Sequence, residues 1–193
     1  MIPKIVGLDL SLTATGAAAI QRDAAGLLSA HTITIPSSGE RGARLATRRE
    51  RLATIATTVL SWCAGAGLAV LEGPAFSARD GHVWDRAGLW WAVVDQLNTA
   101  DIPVAVAAPT TLKKFATGKG TANKTAVAAA VTRLWPDAQP GNDNEFDALV
   151  LAIMGAQWAG LDVPTRAHHA EVLSKVEWPP DPGLSGTGSA VQS

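Results

Sequence analysis

Three consecutive strand patterns at the start of the chain restrict its fold more than any other feature of the sequence. Ile5 to Leu10 and Ala17 to Gln21 are short apolar runs, and Leu28 to Ile35 includes an alternating stretch that ends at Pro36. Short apolar runs and alternation with a period of two, bounded by turn residues, predict strands. Because short turns connect these strands, we expect them to form an antiparallel three-stranded meander.

After residue 36 the pattern changes to helices that alternate with strands. Apolar residues recur every three or four positions in the helical segments, and the two strand candidates are short apolar runs. The predicted helices are 43–63, 82–98, 110–116, 123–135 and 144–158, and the predicted strands between them are 68–71 and 102–107. This order predicts the α/β class, with a mixed sheet of three antiparallel and then two parallel strands and with helices on both faces.

Length and composition predict a single domain. A chain of 193 residues that is 47% apolar can bury one substantial core, and we expect one domain over residues 1–173. Residues 174–193 are rich in proline, glycine and serine and lack apolar periodicity, so we expect a disordered C-terminal tail.

Charge and cysteine content limit the classes of partner. The formal net charge is −1, so any contact with nucleic acid requires local basic patches. The chain has one cysteine, Cys63, and neither a signal-like segment nor an apolar run of about 20 residues. These features predict a cytoplasmic protein with no membrane partner.

Two acidic residues lie at the ends of predicted apolar strands. Asp9 follows the run Ile5 to Leu8, and Glu72 follows Leu68 to Leu71. A buried carboxylate without a partner is costly, so each acid needs compensation. Asp9 could hydrogen-bond the turn that follows it, from Ser11 to Gly16, or the two acids could belong to one site.

A third acidic group opens the last long helix. Asp143, Asn144, Glu145 and Asp147 lie in its first turns, where acids are favourable with the helix dipole. Asp147 precedes the apolar face, and Asp143 and Asn144 share its side of the helix. Carboxylate oxygens bind Mg²⁺, and two ions about 4 Å apart can activate water and stabilise the leaving oxygen of a phosphodiester.

Three motifs carry a resemblance to a known family. They are VGLDLSLTATG at 6–16, VLEGP at 70–74 and NEFDAL at 144–149. In this order they resemble the motifs of RuvC-type Holliday junction resolvases, which belong to the RNase H-like nuclease superfamily. The resemblance extends from about residue 5 to 158 and implies an RNase H-like mixed sheet.

The resemblance also implies an activity and a set of ligands. It implies a Mg²⁺-dependent endonuclease that cuts branched DNA, such as four-way junctions, with two ions per site and Mn²⁺ as a substitute. It assigns Asp9, Glu72 and Asp147 as metal ligands and catalytic residues. Asn144 stands where the family usually has an acid, so it is the candidate fourth ligand, with Asp143 or Glu145 as alternatives. The implied partners are a second copy of the chain, in a homodimer, and recombination or phage DNA-processing proteins.

Basic and aromatic residues are candidates for DNA binding. Lys113, Lys114, Lys119 and Lys124 cluster around two glycines, and Arg44 lies in a second basic cluster. By resemblance, Lys113 and Lys124 lie beside the metal site, where Lys124 supports catalysis, and Phe76 lies near the junction crossover. Solvated lysines and a core phenylalanine are the alternatives. The helix with Trp84, Trp90 and Trp91 would face the second subunit.

Three other functions fit parts of the pattern. A non-catalytic junction-binding module is favoured if Asn144 weakens metal binding, and an RNA-processing nuclease could use the same fold. The turn from Asp9 to Gly16 also resembles a phosphate hairpin of actin-like ATPases. Those enzymes need two such domains, and this chain has room for one.

Overall fold

The computed structural model describes residues 4–74 and 82–180. Within these ranges the chain forms five strands and six helices. In chain order they are β1 (Lys4–Asp9), β2 (Ala14–Arg22), β3 (Leu28–Pro36), α1 (Leu45–Trp62), β4 (Ala66–Glu72), α2 (Val83–Thr99), β5 (Val104–Ala107), α3 (Pro109–Thr117), α4 (Lys124–Leu134), α5 (Asp143–Trp158) and α6 (His169–Leu173).

The strands form one mixed sheet in the order β3-β2-β1-β4-β5. β2 is antiparallel to both β1 and β3, whereas β4 is parallel to both β1 and β5. The predicted fold class is therefore confirmed, including the three antiparallel and two parallel strands. The change of direction occurs at β1, so the carboxyl ends of β1 and β4 lie side by side at one edge of the sheet.

Each face of the sheet has its own hydrophobic core. Successive strand residues point to opposite faces. Val6 and Leu8 pack with apolar residues of α1 and α2, while Ile5 and Ile20 pack with apolar residues of α5. The helices therefore cover both faces, as the sequence predicts, and α5 is the buried helix that lies across β1 and β2.

Two boundaries near the site differ from the predicted ones. β2 begins at Ala14 rather than Ala17, because the residues from Ala14 to Gly16 already pair with β3 and Thr15 is fully buried. α5 begins at Asp143, because the Asn142 side chain accepts a hydrogen bond from the Glu145 N–H at 3.2 Å and caps the first turn.

The predicted boundary between domain and tail at residue 173 falls too early. Val176 is buried, Glu177 forms a β-bridge with Val106 of the edge strand, and the Trp178 ring stacks on Trp158 with the centroids 5.0 Å apart. Stacked indole rings and a paired edge strand hold this segment on the domain. Residues 181–193 of the predicted tail lie outside the described residues.

Candidate active site

Asp9 and Glu72 are neighbours because they end two parallel strands. β1 and β4 pair in a register that aligns Leu8 with Leu71, so the next residue of each strand carries its carboxyl group to the same edge. The Asp9 carboxyl donates a hydrogen bond to Glu72. The Trp90 indole N–H donates to the Glu72 backbone carbonyl at 3.0 Å and connects this edge to α2.

Asp147 reaches the same site because α5 lies in close contact with the sheet. A Cβ at Gly7 would lie 2.0 Å from the Ala148 carbonyl oxygen, and one at Gly16 would lie 2.1 Å from the Asn144 carbonyl oxygen. These distances are far below van der Waals contact, so only glycine allows the helix to lie so close. The first half of α5 is thereby held over the ends of β1 and β2.

Burial raises the pKa of all three carboxyl groups. Burial and the charges of Glu72 and Asp147 raise the pKa of Asp9 to about 8. Burial and the charge of Asp147 also raise the pKa of Glu72, and burial raises the pKa of Asp147. Desolvation and like charges both disfavour the ionised form, so a nearby cation would stabilise these groups as carboxylates.

Two lysines partly compensate the acidic cluster. The charge of Lys124 lowers the pKa of all three acids, and the charge of Lys113 lowers the pKa of Glu72 and Asp147. Lys124 begins α4 and forms an ion pair with Asp143 at 3.2 Å. The structure thus places both lysines near the three acids.

The donor atoms fit a hard divalent cation, although they do not surround an ion position. In the described part of the chain, no group of three or more histidine, cysteine, aspartate or glutamate side chains is arranged to hold a metal ion. Asp9 and Glu72 are hydrogen-bonded to each other. Buried oxygen ligands with raised pKa values are nevertheless suited to Mg²⁺.

The candidate fourth ligands differ in what they contact. The Asn144 amide nitrogen donates to the Ala14 carbonyl oxygen, so only its amide oxygen is a candidate metal ligand. Asp143 is in the ion pair with Lys124. Asn144 therefore attaches α5 to the start of β2 beside the acidic cluster.

Glu145 is held by hydrogen-bond partners outside the cluster. Its carboxylate accepts hydrogen bonds from Thr32 Oγ1 at 2.8 Å, Thr34 Oγ1 at 2.5 Å, the Gly141 N–H at 2.9 Å and Asn142 Nδ2 at 3.2 Å. Burial opposes ionisation, yet these four donors outweigh burial and lower the pKa of Glu145. Glu145 thus attaches the start of α5 to β3.

The other predicted DNA-binding residues lie elsewhere. Lys114 forms an ion pair with Glu171 at 3.0 Å, and Lys119 lines a separate concave surface beside α4. Arg44 is the exposed N-cap of α1, on the opposite face of the sheet from α5. Phe76 lies outside the described residues.

The structure adds residues that the sequence patterns did not assign. The Thr15 hydroxyl donates to the Ser11 carbonyl oxygen and accepts from the Ser11 N–H, both at 3.0 Å, so the turn after Asp9 is held by Thr15. Gly7 and Trp90 position the acids, as described above. A glycine inside a strand is a signal of close backbone approach, and it could have identified Gly7.

Comparison with known proteins supports this architecture. No family model matches the chain. The crossover junction endodeoxyribonuclease RuvC of Parvibaculum lavamentivorans is 32% identical over 152 residues, which cover 78% of this chain and 85% of that protein. The Thermus thermophilus RuvC structure is 22% identical, with a TM-score of 0.65 over 83% of this chain and 99% of that one. The same enzyme in complex with a Holliday junction substrate is 24% identical, with a TM-score of 0.65 over 84% and 99% of the two chains.

The mixed sheet, with acids at the ends of β1 and β4 and on the helix across them, defines the RNase H-like class. Within that class, the chain belongs to the RuvC family of crossover junction endodeoxyribonucleases.

Proposed function

We propose that this protein is a structure-selective endonuclease that hydrolyses phosphodiester bonds in branched DNA, such as four-way junctions, with divalent metal ions. The observation that carries the proposal is the group of three half-buried carboxyl groups, Asp9, Glu72 and Asp147, with Lys113 and Lys124 beside it. Membership of the RuvC family supports the choice of substrate.

Each side chain has a defined task in this proposal. Bound Mg²⁺ or Mn²⁺, two ions per site, would supply an activated water and charge stabilisation for the leaving oxygen. Asp9, Glu72 and Asp147 bind the ions, and the Asn144 amide oxygen is the fourth candidate ligand. Lys113 and Lys124 attract the DNA phosphates and stabilise negative charge at the reacting phosphate.

The proposed active form is a homodimer, in which two sites face two symmetric strands. Large apolar side chains are exposed at one end of the α1–α2 pair. They are Leu45, Val83, Trp84 and Trp91, of which Trp84 is 83% exposed and Trp91 is 65% exposed. Aromatic residues that are exposed together are typical of protein interfaces. A second copy of the chain is the proposed partner for this surface.

A junction-binding protein that does not cut is the second candidate function, because Asn144 replaces an acid in the site. An uncharged ligand weakens metal binding. The two functions differ in one result, since a binding module has the same affinity for a four-way junction but leaves it intact in Mg²⁺.

We propose the cytoplasm as the location, with recombination or phage DNA-processing proteins as further partners. Among the helices of the described ranges, none has both the length and the apolar character that spanning a bilayer requires.

The test is cleavage of a synthetic four-way junction, a linear duplex of the same sequence and a four-way RNA junction in Mg²⁺. We expect cutting of the DNA junction alone. Asp147→Asn should abolish cutting while junction binding remains, and Asp137→Asn, a change at an exposed acid, should have no effect. Binding without cutting in the parent protein would select the non-catalytic function, and preferential cutting of RNA would select an RNA-processing nuclease.

A further inference from the structure

A basic groove lies beside α4, away from the three acids. The groove has a volume of about 680 Å³. Its charged and titratable lining consists of Lys119, Arg133, Arg166 and His168, and no acidic residue lines it. The whole chain carries a net charge of −1, so this concentration of positive charge is local.

Within the part of the chain that the structure describes, the cations of the groove form no ion pair with an acid. Among residues 4–74 and 82–180, no ion pair involves Lys119, Arg133 or Arg166. The nearby acid Glu171 is engaged by Lys114 at 3.0 Å and by Lys175 at 2.7 Å. Lys119, Arg133 and Arg166 are exposed, so their charge is available to an anionic ligand.

The α4 side of the groove is lined mainly by small side chains. Ala126, Ala129, Ala130 and Arg133 line it at helical spacing, while Val127 and Val131 pack into the core on the opposite side. Methyl groups leave room for a bulky ligand to approach the helix, and the arginine at the end of the row is placed to contact it. The cationic side chains favour an anionic ligand. The row of alanines leaves space for an extended one to lie along the helix.

The groove and the acidic site lie on different sides of α4, and both reach its first turn. Asn123 lines the groove, and the next residue, Lys124, faces the acids from the first turn of α4. Lys124 and Arg133 are nine residues apart, which places them on opposite sides of α4 and about 13.5 Å apart along its axis. In duplex DNA this length corresponds to about four phosphates of one strand.

We propose that the groove formed by Lys119, Arg133 and Arg166 binds the sugar-phosphate backbone of one duplex arm of the junction, several phosphates away from the cut site. The inference rests on the proposed function and adds a surface to it. The groove contacts phosphates rather than bases, so it holds and orients an arm without reading its sequence.

The test compares Arg133→Gln/Arg166→Gln with a control of equal charge change, Arg22→Gln/Arg49→Gln, whose arginines are exposed outside the groove. Binding is measured by fluorescence anisotropy without Mg²⁺, on four-way junctions with long arms and with arms of a few base pairs. We expect the groove variant to bind the long-armed junction at least tenfold more weakly. The slope of log affinity against log salt should fall by about 2, or about 0.9 per phosphate contact.

Three further results are expected of the groove variant. Its affinity for the short-armed junction should match that of the parent, its cleavage rate at saturating DNA should be unchanged, and Arg133→Lys/Arg166→Lys should restore binding. The control should match the parent throughout. Loss of long-arm affinity in the groove variant alone supports an arm-binding surface.

Other outcomes overturn the inference in distinguishable ways. Equal affinity and salt slope in the groove variant and the control, with normal cleavage by the parent, would reject the groove and leave the proposed function intact. If inorganic phosphate raised the melting temperature of the parent but not of the variant, while DNA affinity stayed unchanged, the groove would be a small-anion site. A parent protein that binds no junction would reject both proposals.

Discussion

Asp147 and Glu145 are carboxylates two residues apart on α5, and their surroundings change their pKa values in opposite directions. Glu145 accepts four hydrogen bonds, and they lower its pKa despite burial. Asp147 lies near Asp9 and Glu72, and burial raises its pKa. Position in a helix therefore does not determine the role of an acid; the number of donors that meet it does.

The difference separates an acid that stabilises the fold from acids that are kept reactive. Glu145 attaches α5 to β3 and contributes to stability as an anion. The cluster of Asp9, Glu72 and Asp147 destabilises the metal-free fold as these groups ionise, because buried like charges repel. Such strain at a buried acidic cluster is expected where a cation binds.

Substitutions in the acidic cluster should have the largest effect, which is a loss of cleavage. Asp9→Asn, Glu72→Gln and Asp147→Asn should each lower the cleavage rate by about 10³-fold or more, because each removes charge that holds metal. Junction affinity should remain close to that of the parent, and each variant should melt cooperatively as a folded protein. Single-turnover cleavage, anisotropy and thermal melting provide the three measurements. Retained cleavage in any one variant would remove that residue from the site.

The next largest effect is on stability through Glu145. Glu145→Ala leaves the part-buried donors of Thr32, Thr34 and Gly141 without their acceptor and should lower the free energy of unfolding by about 2 kcal/mol. This corresponds to a fall in melting temperature of about 4–8 °C. Glu50→Ala, at an exposed position of α1, is the control and should change little. A Glu145 variant as stable as the parent would show that these bonds contribute nothing.

The sequence predicted the fold more fully than it distinguished these acids. Strand alternation and helical spacing predicted the sheet and its main helices. An element that buries one face has apolar residues at regular intervals in the sequence. Asp143, Glu145 and Asp147 look alike in sequence, since each could be a helix-dipole acid. Glu145 differs from the other two because Thr32 and Thr34 of β3, which are distant in the chain, donate hydrogen bonds to its carboxylate. Likewise, α6 and Trp178 depend on contacts with distant residues, and local periodicity does not show such contacts.

The opposite pKa shifts predict two opposite dependences of stability on pH. The folded-state pKa of Asp9 is raised to about 8, so the folded protein holds a proton that the unfolded chain loses near pH 4. Stability of the metal-free protein should therefore fall as pH rises through this window, and it should fall less in Asp9→Asn.

The pKa of Glu145 is lowered, so its stabilising contribution is present above the unfolded pKa, near 4.5, and is lost as pH falls through the folded value. Melting temperatures measured in a chelator from pH 3 to 9 test both slopes. A profile that is the same in parent, Asp9→Asn and Glu145→Gln would contradict them.

The smallest expected effect concerns Asn144, which precedes Glu145 in the chain and lies on the same side of α5 as Asp147. Asn144→Asp adds a charge to the cluster, so it should lower the Mg²⁺ concentration for half-maximal cleavage by a few fold and make melting more Mg²⁺-dependent. Asn144→Ala should shift both in the opposite direction. If neither substitution changes the Mg²⁺ dependence, Asn144 serves only to hold the Ala14 carbonyl, and Asp143 becomes the candidate ligand.

The most direct test counts bound Mn²⁺ ions by electron paramagnetic resonance in the parent, Asp9→Asn, Asp147→Asn and Glu145→Gln proteins. The proposed division of the acids predicts two ions per chain in the parent and in Glu145→Gln, and weakened or lost binding in Asp9→Asn and Asp147→Asn. Equal Mn²⁺ binding by all four proteins, or loss of binding in Glu145→Gln alone, would contradict it.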